Sequence, residues 1–181
     1  MPSPTYFPVQ ADHEAYQALV AAGDPGTDVE LDGILAAQAA TENAMLSGWT
    51  ALSQSYGWAP AQVTTPVPII VGVPTGGITT SPLDYGGIAG YPGGMDEHTY
   101  AIDRFIIGGP ATGSYLDAMR RAATLWLPLK RVYAKNGTLG GVVHGCKVTG
   151  ATWQSLPLGD TTWIGLAVHT VTTCYYLLGA S

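Results

Sequence analysis

The side chains best suited to chemistry are two histidines and two cysteines near the C-terminal end: His144, Cys146, His169 and Cys174. Imidazole and thiolate are zinc ligands, but these residues match no zinc-finger spacing, and alternation along β-strands sends some of them to opposite faces. A cysteine and a histidine could also form a nucleophile and its base, yet the sequence offers neither an orienting third group nor an oxyanion loop. No GxSxG, HExxH, GxGxxG or Walker A pattern is present. We therefore expect sheet histidines and core thiols, with no catalytic residue, no metal and no cofactor.

A second candidate site lies in residues 75–97, where the glycine-rich run GGIAGYPGG could be considered for phosphate binding. The run lacks lysine, does not lie between a strand and a helix, and is followed by two acidic residues. It therefore has neither the charge nor the setting of a phosphate loop. We predict instead a long flexible loop that contacts a partner. The contact residues expected in this loop are Tyr85, Ile88 and Tyr91.

The charge of the chain changes sign between Asp103 and Arg104. Residues 1–103 carry eleven acids and no base, and the remainder carries seven bases and two acids, so the parts have formal charges of −11 and +5 and the chain −6. Charged residues make up only 11% of the chain, against roughly 25% in typical soluble domains. The low share fits either a neutral surface rich in Gly, Ser and Thr or a surface partly buried between subunits, and we favour the second. Identical subunits could pack with the basic region of one against the acidic part of the next, and such head-to-tail contacts generate rings. The basic residues expected at this contact are Arg104, Arg120, Arg121, Lys130 and Arg131.

Composition also bears on location and on other partners. No run of about twenty apolar residues is present, so no helix is expected to span a membrane. The N-terminal residues MPSPTYFPVQADHE lack the basic and apolar regions of a secretory signal, and two cysteines are too few for a disulfide scaffold. The bases are spread over residues 104–147 without a stacking platform, which makes a poor nucleic-acid footprint. We expect a chain made in a reducing cytoplasm, without sequence-specific binding of DNA.

We expect a single domain over residues 1–181. Its first half is predicted to contain two helices and one strand. We expect an N-terminal arm and a short helix over residues 1–26, with the helix over Asp12–Ala22 and Tyr16, Leu19 and Val20 on one of its sides. A capping box and apolar residues at steps of three and four then predict a helix from about Asp28 to Ser55. Alternating apolar residues predict a strand over Pro66–Pro74, and Pro68 would place it at a sheet edge or near a bulge.

In the second half of the chain, apolar residues on both faces of the segment His98–Ile107 predict a central strand. A helix follows, capped by Thr112 or Ser114 and ended or kinked near Leu127 by Pro128. The buried stripe expected on this helix consists of Leu116, Met119, Ala123 and Trp126.

Two segments rich in Val, Thr and Tyr, Val142–Thr152 and Trp163–Leu178, predict a terminal β-hairpin. With its turn centred near Pro157, Cys146 would lie opposite His169. The predicted fold class is α+β: a mostly antiparallel sheet of about four strands packed against two main helices, with a long Gly-rich hairpin loop.

Within residues 98–178, HTYAIDRFIIG is followed by a helix ending LWLPLKRVYAKN, then GGVVHGCKVTGATW and the closing strand WIGLAVHTVTTCYYLL. This region resembles the tail terminator proteins of long-tailed bacteriophages and related neck or tail-completion proteins. It implies an α+β subunit of a ring, typically a hexamer, that caps the tail tube and joins it to the head. The implied partners are further copies of the chain, the tail tube protein and the head–neck connector protein. DNA would pass through the lumen without base reading, the location would be the virion, and no catalytic residue is carried over.

Two other functions compete with this interpretation. The first is a monomeric surface- or carbohydrate-binding module that uses the Gly/Tyr-rich loop, since tyrosines flanked by small residues suit adaptable recognition. The second is a small hydrolase that uses Cys146 or a histidine, which would require a reactive thiol of low pKa.

Overall fold

The computed structural model describes residues 29–46, 51–83 and 95–177. These ranges form an α+β fold of two helices and a mixed six-stranded sheet. The elements in chain order are α1 (Val29–Leu46), β1 (Gln54–Trp58), β2 (Ile69–Pro74), β3 (Thr79–Leu83), β4 (Met95–Pro110), α2 (Tyr115–Lys135), a 3-10 turn (Leu139–Gly141), β5 (Gly145–Leu158) and β6 (Thr161–Leu177). The predicted α+β class with two main helices is confirmed, whereas the sheet has more strands than expected.

The strand order of the sheet is β1-β2-β4-β6-β5, with β3 paired to the first residues of β4. β1 and β2 are parallel, and all other pairs are antiparallel. The sheet is therefore mixed, because β1 adds a parallel pair that the sequence patterns did not predict. β2 and β3 lie along the same side of β4, and β6 pairs with β4 along nearly its whole length.

β4 is the central strand, as predicted, and its two faces enter separate cores. Tyr100, Ile102 and Ile106 belong to the core beneath the helices. Phe105 and Ile107 belong to the core on the opposite face, which side chains of the β1–β2 connection help to cover. Successive side chains of a strand point to opposite faces, so apolar residues at both parities bury both sides of β4.

Both helices pack on the same face of the sheet. α1 lies against β1 and β2, and α2 lies against β4, β5 and β6. The N-cap of α2 is Ser114, one of the two predicted caps, and its hydroxyl accepts a hydrogen bond from the Asp117 amide. Pro128 was predicted to end or kink this helix near Leu127; it does not end the helix, because α2 continues to Lys135 with Pro128 inside it. Burial of Leu129 and Val132 against the sheet offsets the missing amide donor of the proline.

The helix predicted from about Asp28 to Ser55 ends instead at Leu46, and Gln54–Trp58 is the edge strand β1. The Asn43 carboxamide on α1 accepts a hydrogen bond from the Ser55 amide and donates one to the Ser55 carbonyl. These are the backbone hydrogen bonds that a further strand would make at this edge of the sheet. The predicted extension of the helix to Ser55 was thus overridden by pairing of β1 with β2, which local patterns do not encode.

The strand predicted over Pro66–Pro74 is confirmed as β2, but it lies inside the sheet between β1 and β4. Pro68 precedes β2, so its missing amide removes no ladder hydrogen bond, and its carbonyl accepts a hydrogen bond from the Ser53 amide. The flexible loop predicted over residues 75–97 also requires correction, because Thr79–Leu83 form β3 and pair with Met95–Thr99.

Two predicted segments lie outside the described residues. They are the N-terminal arm with its short helix, residues 1–26, and the loop tip that contains Tyr85, Ile88 and Tyr91.

The terminal hairpin is confirmed as β5 and β6, but its register differs from the prediction. The turn lies at Gly159 and Asp160, not near Pro157, and Gly159 has a φ of 59°, a left-handed conformation that short hairpin turns require and glycine adopts freely. A β-bulge also interrupts the ladder between Val148 and Gly150. Cys146 therefore lies opposite Thr172, and His169 lies opposite Gly150.

Candidate functional site

The side of α2 that faces the sheet is not the predicted one. Its buried residues are Ala118, Ala122, Leu125, Leu129, Val132 and Tyr133. The predicted stripe of Leu116, Met119, Ala123 and Trp126 is exposed or half-buried, and Leu116 is 56% exposed. The helix approaches β4 so closely that a Cβ atom at Gly108 would collide with the Ala118 carbonyl. Only small side chains fit at this approach, which directs the alanines inward and the larger Leu116 outward.

The opposite side of α2 is a solvent-exposed surface that combines apolar and basic side chains. We define the outer α2 face as Leu116, Arg120, Ala123, Leu127, Lys130 and Arg131, all of them exposed. Residues at steps of three and four lie on one side of a helix, so these six form one stripe. Leu127 is 49% exposed, and the apolar centre of the stripe has cations on both sides.

The cations of the outer α2 face have weak partners within the chain. Arg120 lies 4.0 Å from Asp117, and both side chains are more than half exposed, so the pair contributes little to stability. The Lys130 ammonium group lies 5.9 Å from the centroid of the Trp126 ring, at the outer limit of a cation–π contact. The positive charges therefore remain available to an external partner.

The predicted contact residues do not all share this surface. Arg120, Lys130 and Arg131 belong to the outer α2 face. Arg121 is exposed but turns toward the sheet, where its Nη1 donates to the Gly108 carbonyl over 3.4 Å. Tyr85, Ile88 and Tyr91 lie outside the described residues.

Arg104 was also expected at a subunit contact, and the structure corrects that expectation. Its side chain is fully buried and forms a bidentate ion pair with Glu42, with Nε–Oε1 and Nη2–Oε2 distances of 2.9 and 2.8 Å. Arg104 has the same parity along β4 as Tyr100, Ile102 and Ile106, so it points beneath the helices. It cannot reach a neighbouring subunit from this position.

Further hydrogen bonds complete a polar cluster around this ion pair. Arg104 also donates to the Ser55 hydroxyl and to the carbonyls of Tyr56 and Gly57 on β1. Glu42 accepts from the Ser55 hydroxyl and the Tyr133 hydroxyl, each at 2.5 Å. The cluster joins α1, β1, β4 and α2, which explains how a charged pair is tolerated in the interior.

Burial and charge shift the pKa values of two members of this cluster. Burial, followed by the negative charge of Glu42, raises the pKa of Tyr133 well above its usual value. For Arg104, burial lowers the pKa, but the charge and hydrogen bonds of Glu42 outweigh burial, so the pKa is raised overall. Arg104 is therefore charged and Tyr133 is neutral at physiological pH, which suits a structural cluster and not proton transfer.

A second polar row lies on the other face of the sheet, across β4, β6 and β5. Asp103 is buried, and its Oδ1 lies 2.6 Å from Nδ1 of His169. Nε2 of His169 lies 3.0 Å from the Thr152 hydroxyl, and the Thr75 hydroxyl donates to Asp103 over 3.4 Å. In the neutral tautomer that these contacts favour, Nδ1–H donates to Asp103 and Nε2 accepts from Thr152.

The order Asp103–His169–Thr152 is the connectivity by which an imidazole activates a hydroxyl group. Sequence patterns missed this row because its members lie on separate strands and His169 was expected opposite Cys146. The signal that pointed to it was an aspartate in an otherwise apolar strand.

A pocket of about 430 Å3 is lined by Glu97, Gly137, Thr138, His144, Gly145, Cys146, Lys147, Val171 and Thr173. Neither Thr152 nor His169 lines it, so we interpret the row as a structural link between strands.

Both cysteines are buried free thiols. The Cys146 sulfur accepts hydrogen bonds from the Thr172 hydroxyl at 3.2 Å and the Gln38 amide at 3.6 Å. Burial raises the pKa of Cys146, so the thiol is protonated near neutral pH, which disfavours a nucleophilic role. Among the residues that the structure describes, no group of three or more His, Cys, Asp or Glu is arranged to hold a metal ion.

No protein-family model matches this chain, and no curated protein matches it. Across residues 29–46, 51–83 and 95–177, no helix combines the length and the apolar character needed to cross a membrane. Function must therefore be inferred from the outer α2 face, the buried clusters and the distribution of charge.

Proposed function

We propose that this protein is a structural, non-enzymatic virion component that assembles into a homo-oligomeric ring of about six subunits. The ring lies at the head-proximal end of a bacteriophage tail tube, where it ends tube growth and joins the tail to the head and neck. The tail tube protein and the head–neck connector protein are its partners. The observation that carries the proposal is the outer α2 face, which is apolar at its centre, basic at its margins and open to solvent.

The outer α2 face has the chemistry of a protein contact. Leu116 and Leu127 are 56% and 49% exposed, and exposed apolar stripes rimmed by polar side chains mark interaction sites. α2 carries five of the seven bases in a chain of net charge −6. The rest of the chain is acidic, so a further copy of the same chain offers a surface of opposite sign, and charge complementarity would fix the register of their contact.

The fold presents this face on a rigid support. α2 has 21 residues, which corresponds to a helix about 32 Å long. Its inward side is fully buried along the sheet, from Ala118 near the start to Val132 in the last turns. A pre-formed surface loses little conformational entropy on binding, which suits repeated contacts in a ring.

The overall charge is compatible with passage of DNA. Proteins that retain DNA neutralise phosphates with lysine and arginine, and their affinity depends on the released counterions. If the bases on α2 are engaged between subunits, the remaining surface is predominantly acidic. A ring whose lumen is lined by this acidic surface would let DNA pass without binding it.

The decisive measurement is the oligomeric state, by native mass spectrometry and negative-stain electron microscopy of the full chain. We expect a closed ring of about six subunits for the natural sequence. The variant R120E/R131E should retain its circular dichroism spectrum but assemble more weakly, because both substitutions place acids on the outer α2 face. The control K147E places an acid at an exposed base outside α2 and should assemble normally.

Two outcomes would contradict the proposal. A natural chain that stays monomeric at high concentration would exclude the ring as an intrinsic property. Assembly of R120E/R131E with unchanged affinity would show that the outer α2 face is not the subunit contact.

A further inference from the structure

The outer α2 face sets requirements for whatever binds it. Its apolar centre extends from Leu116 to Leu127, about 16 Å along the helix axis. Its cations Arg120, Lys130 and Arg131 lie beside that centre. A matching ligand therefore presents an apolar side that fits within this length, carries carboxylates and is free of lysine and arginine. Recognition of this kind is typical of an amphipathic helix bound through residues at steps of three and four.

One segment of this chain meets these requirements in its sequence. Residues 1–28 contain four acids and no lysine or arginine. The short helix predicted over Asp12–Ala22 has eleven residues, about 16 Å if helical, and places Tyr16, Leu19 and Val20 on one side. Two of the four acids, Asp12 and Glu14, lie at its beginning. The apolar side, which spans about 6 Å from Tyr16 to Val20, and the sign of the charge complement the outer α2 face.

We infer that residues 1–28 of one subunit bind the outer α2 face of the neighbouring subunit. This inference deepens the proposed function, because it assumes that the chain forms a ring. The segment precedes α1, which packs on β1 and β2 and contacts α2, while α2 packs on β4, β6 and β5. An extended chain spans up to about 3.3–3.6 Å per residue, so 28 residues can reach a neighbour. Each subunit then gives one segment and receives one, a head-to-tail contact that closes a ring.

Two charge-reversed full-length chains test the inference. The arm variant D12K/E14K reverses the two acids of the predicted short helix, and the face variant R120E/R131E reverses two of the three cations of the outer α2 face. Each variant alone juxtaposes like charges at every contact, and we expect its assembly affinity to fall by about tenfold or more. Both variants should retain the circular dichroism spectrum of the natural chain.

The equimolar mixture of the two variants separates binding to a neighbour from binding within one chain. In a mixed ring with alternating subunits, each segment meets a face of opposite charge, so assembly should be restored and native mass spectrometry should show equal numbers of both chains. If the segment bound the face of its own chain, mixing could not restore the charge match. Failure of the mixture to assemble would therefore overturn the inference.

The outcomes also separate this inference from the proposed function. A natural chain that remains monomeric contradicts the ring itself. A natural chain that forms a ring while D12K/E14K assembles with unchanged affinity leaves the ring intact and overturns only the role of residues 1–28. The control variant D24K/D28K reverses two acids of the same segment outside the predicted helix, and it should assemble more strongly than D12K/E14K.

Discussion

Arg104 and Glu42 form a fully buried, bidentate ion pair that fixes the central strand β4 to the helix α1. The two N–O distances are 2.9 and 2.8 Å, and neither side chain is exposed to solvent. Ser55 and Tyr133 supply further hydrogen bonds to Glu42. The two residues of this pair are 62 positions apart in the sequence. Arg104 is therefore buried, although the distribution of charge along the sequence had predicted it at a subunit contact.

Breaking this ion pair should be strongly destabilising. Arg104→Met leaves the Glu42 carboxylate buried without its cation, and we expect the free energy of unfolding to fall by about 3–5 kcal/mol. Urea denaturation followed by circular dichroism measures the change. Arg120→Met is the matched control at an exposed site, where the expected change is within about 0.5 kcal/mol. The double variant E42M/R104M should lose less than the sum of the two single variants, and strict additivity would argue against the pair.

Tyr133 should make the stability of the protein sensitive to alkaline pH. Burial and the nearby Glu42 charge raise its pKa in the folded state, whereas an unfolded tyrosine ionises near pH 10. The contribution of Tyr133 is therefore complete below about pH 10 and is lost as pH rises toward the folded pKa. Tyr133→Phe should flatten the decline in unfolding free energy above pH 10. Tyr115→Phe, at an exposed tyrosine, controls for loss of a hydroxyl group, and equal slopes in the two variants would contradict the prediction.

The thiol of Cys146 should be unreactive in the folded protein. Its side chain is 5% exposed, and burial raises its pKa, so both access and thiolate population are low near neutral pH. Labelling with 5,5′-dithiobis(2-nitrobenzoic acid) should proceed slowly in buffer and rapidly in guanidinium chloride. Comparison with Cys146→Ser assigns the signal. Rapid labelling of the native chain at Cys146 would instead favour the hydrolase interpretation.

The Asp103–His169–Thr152 row should contribute to stability without catalysing hydrolysis. Asp103→Ala removes the acceptor for Nδ1 of His169, and we expect a loss of about 1–3 kcal/mol in the free energy of unfolding. Thr152→Ala changes an exposed hydroxyl and should cost less than about 1 kcal/mol. The natural chain and Thr152→Ala should hydrolyse p-nitrophenyl acetate at the same rate. A rate that falls when Thr152 is replaced would show that the row activates this hydroxyl.

Several elements were predictable because their signals are local. β4 carries apolar residues at both parities, which identifies a strand buried on both faces wherever the rest of the chain lies. Ser114 caps α2 through a hydrogen bond from a residue only three positions further along the chain. The terminal hairpin follows from two β-rich segments separated by a turn, although its register depended on the position of Gly159 and on the bulge beside Val148.

The sequence by itself determined the α+β class, the central position of β4, the start of α2 and the separation of acidic from basic residues, because each depends on periodicity, capping or composition. Only the tertiary structure decided which side of α2 is buried, since both sides carry apolar residues and the close approach of Ala118 to Gly108 selects between them. Only the tertiary structure decided, likewise, that Arg104 is buried and that β1 is a strand. Charge patterns and helix periodicity cannot anticipate that Arg104 pairs with a residue as distant as Glu42. Because Arg104 is buried, it needs that partner to be tolerated in the interior.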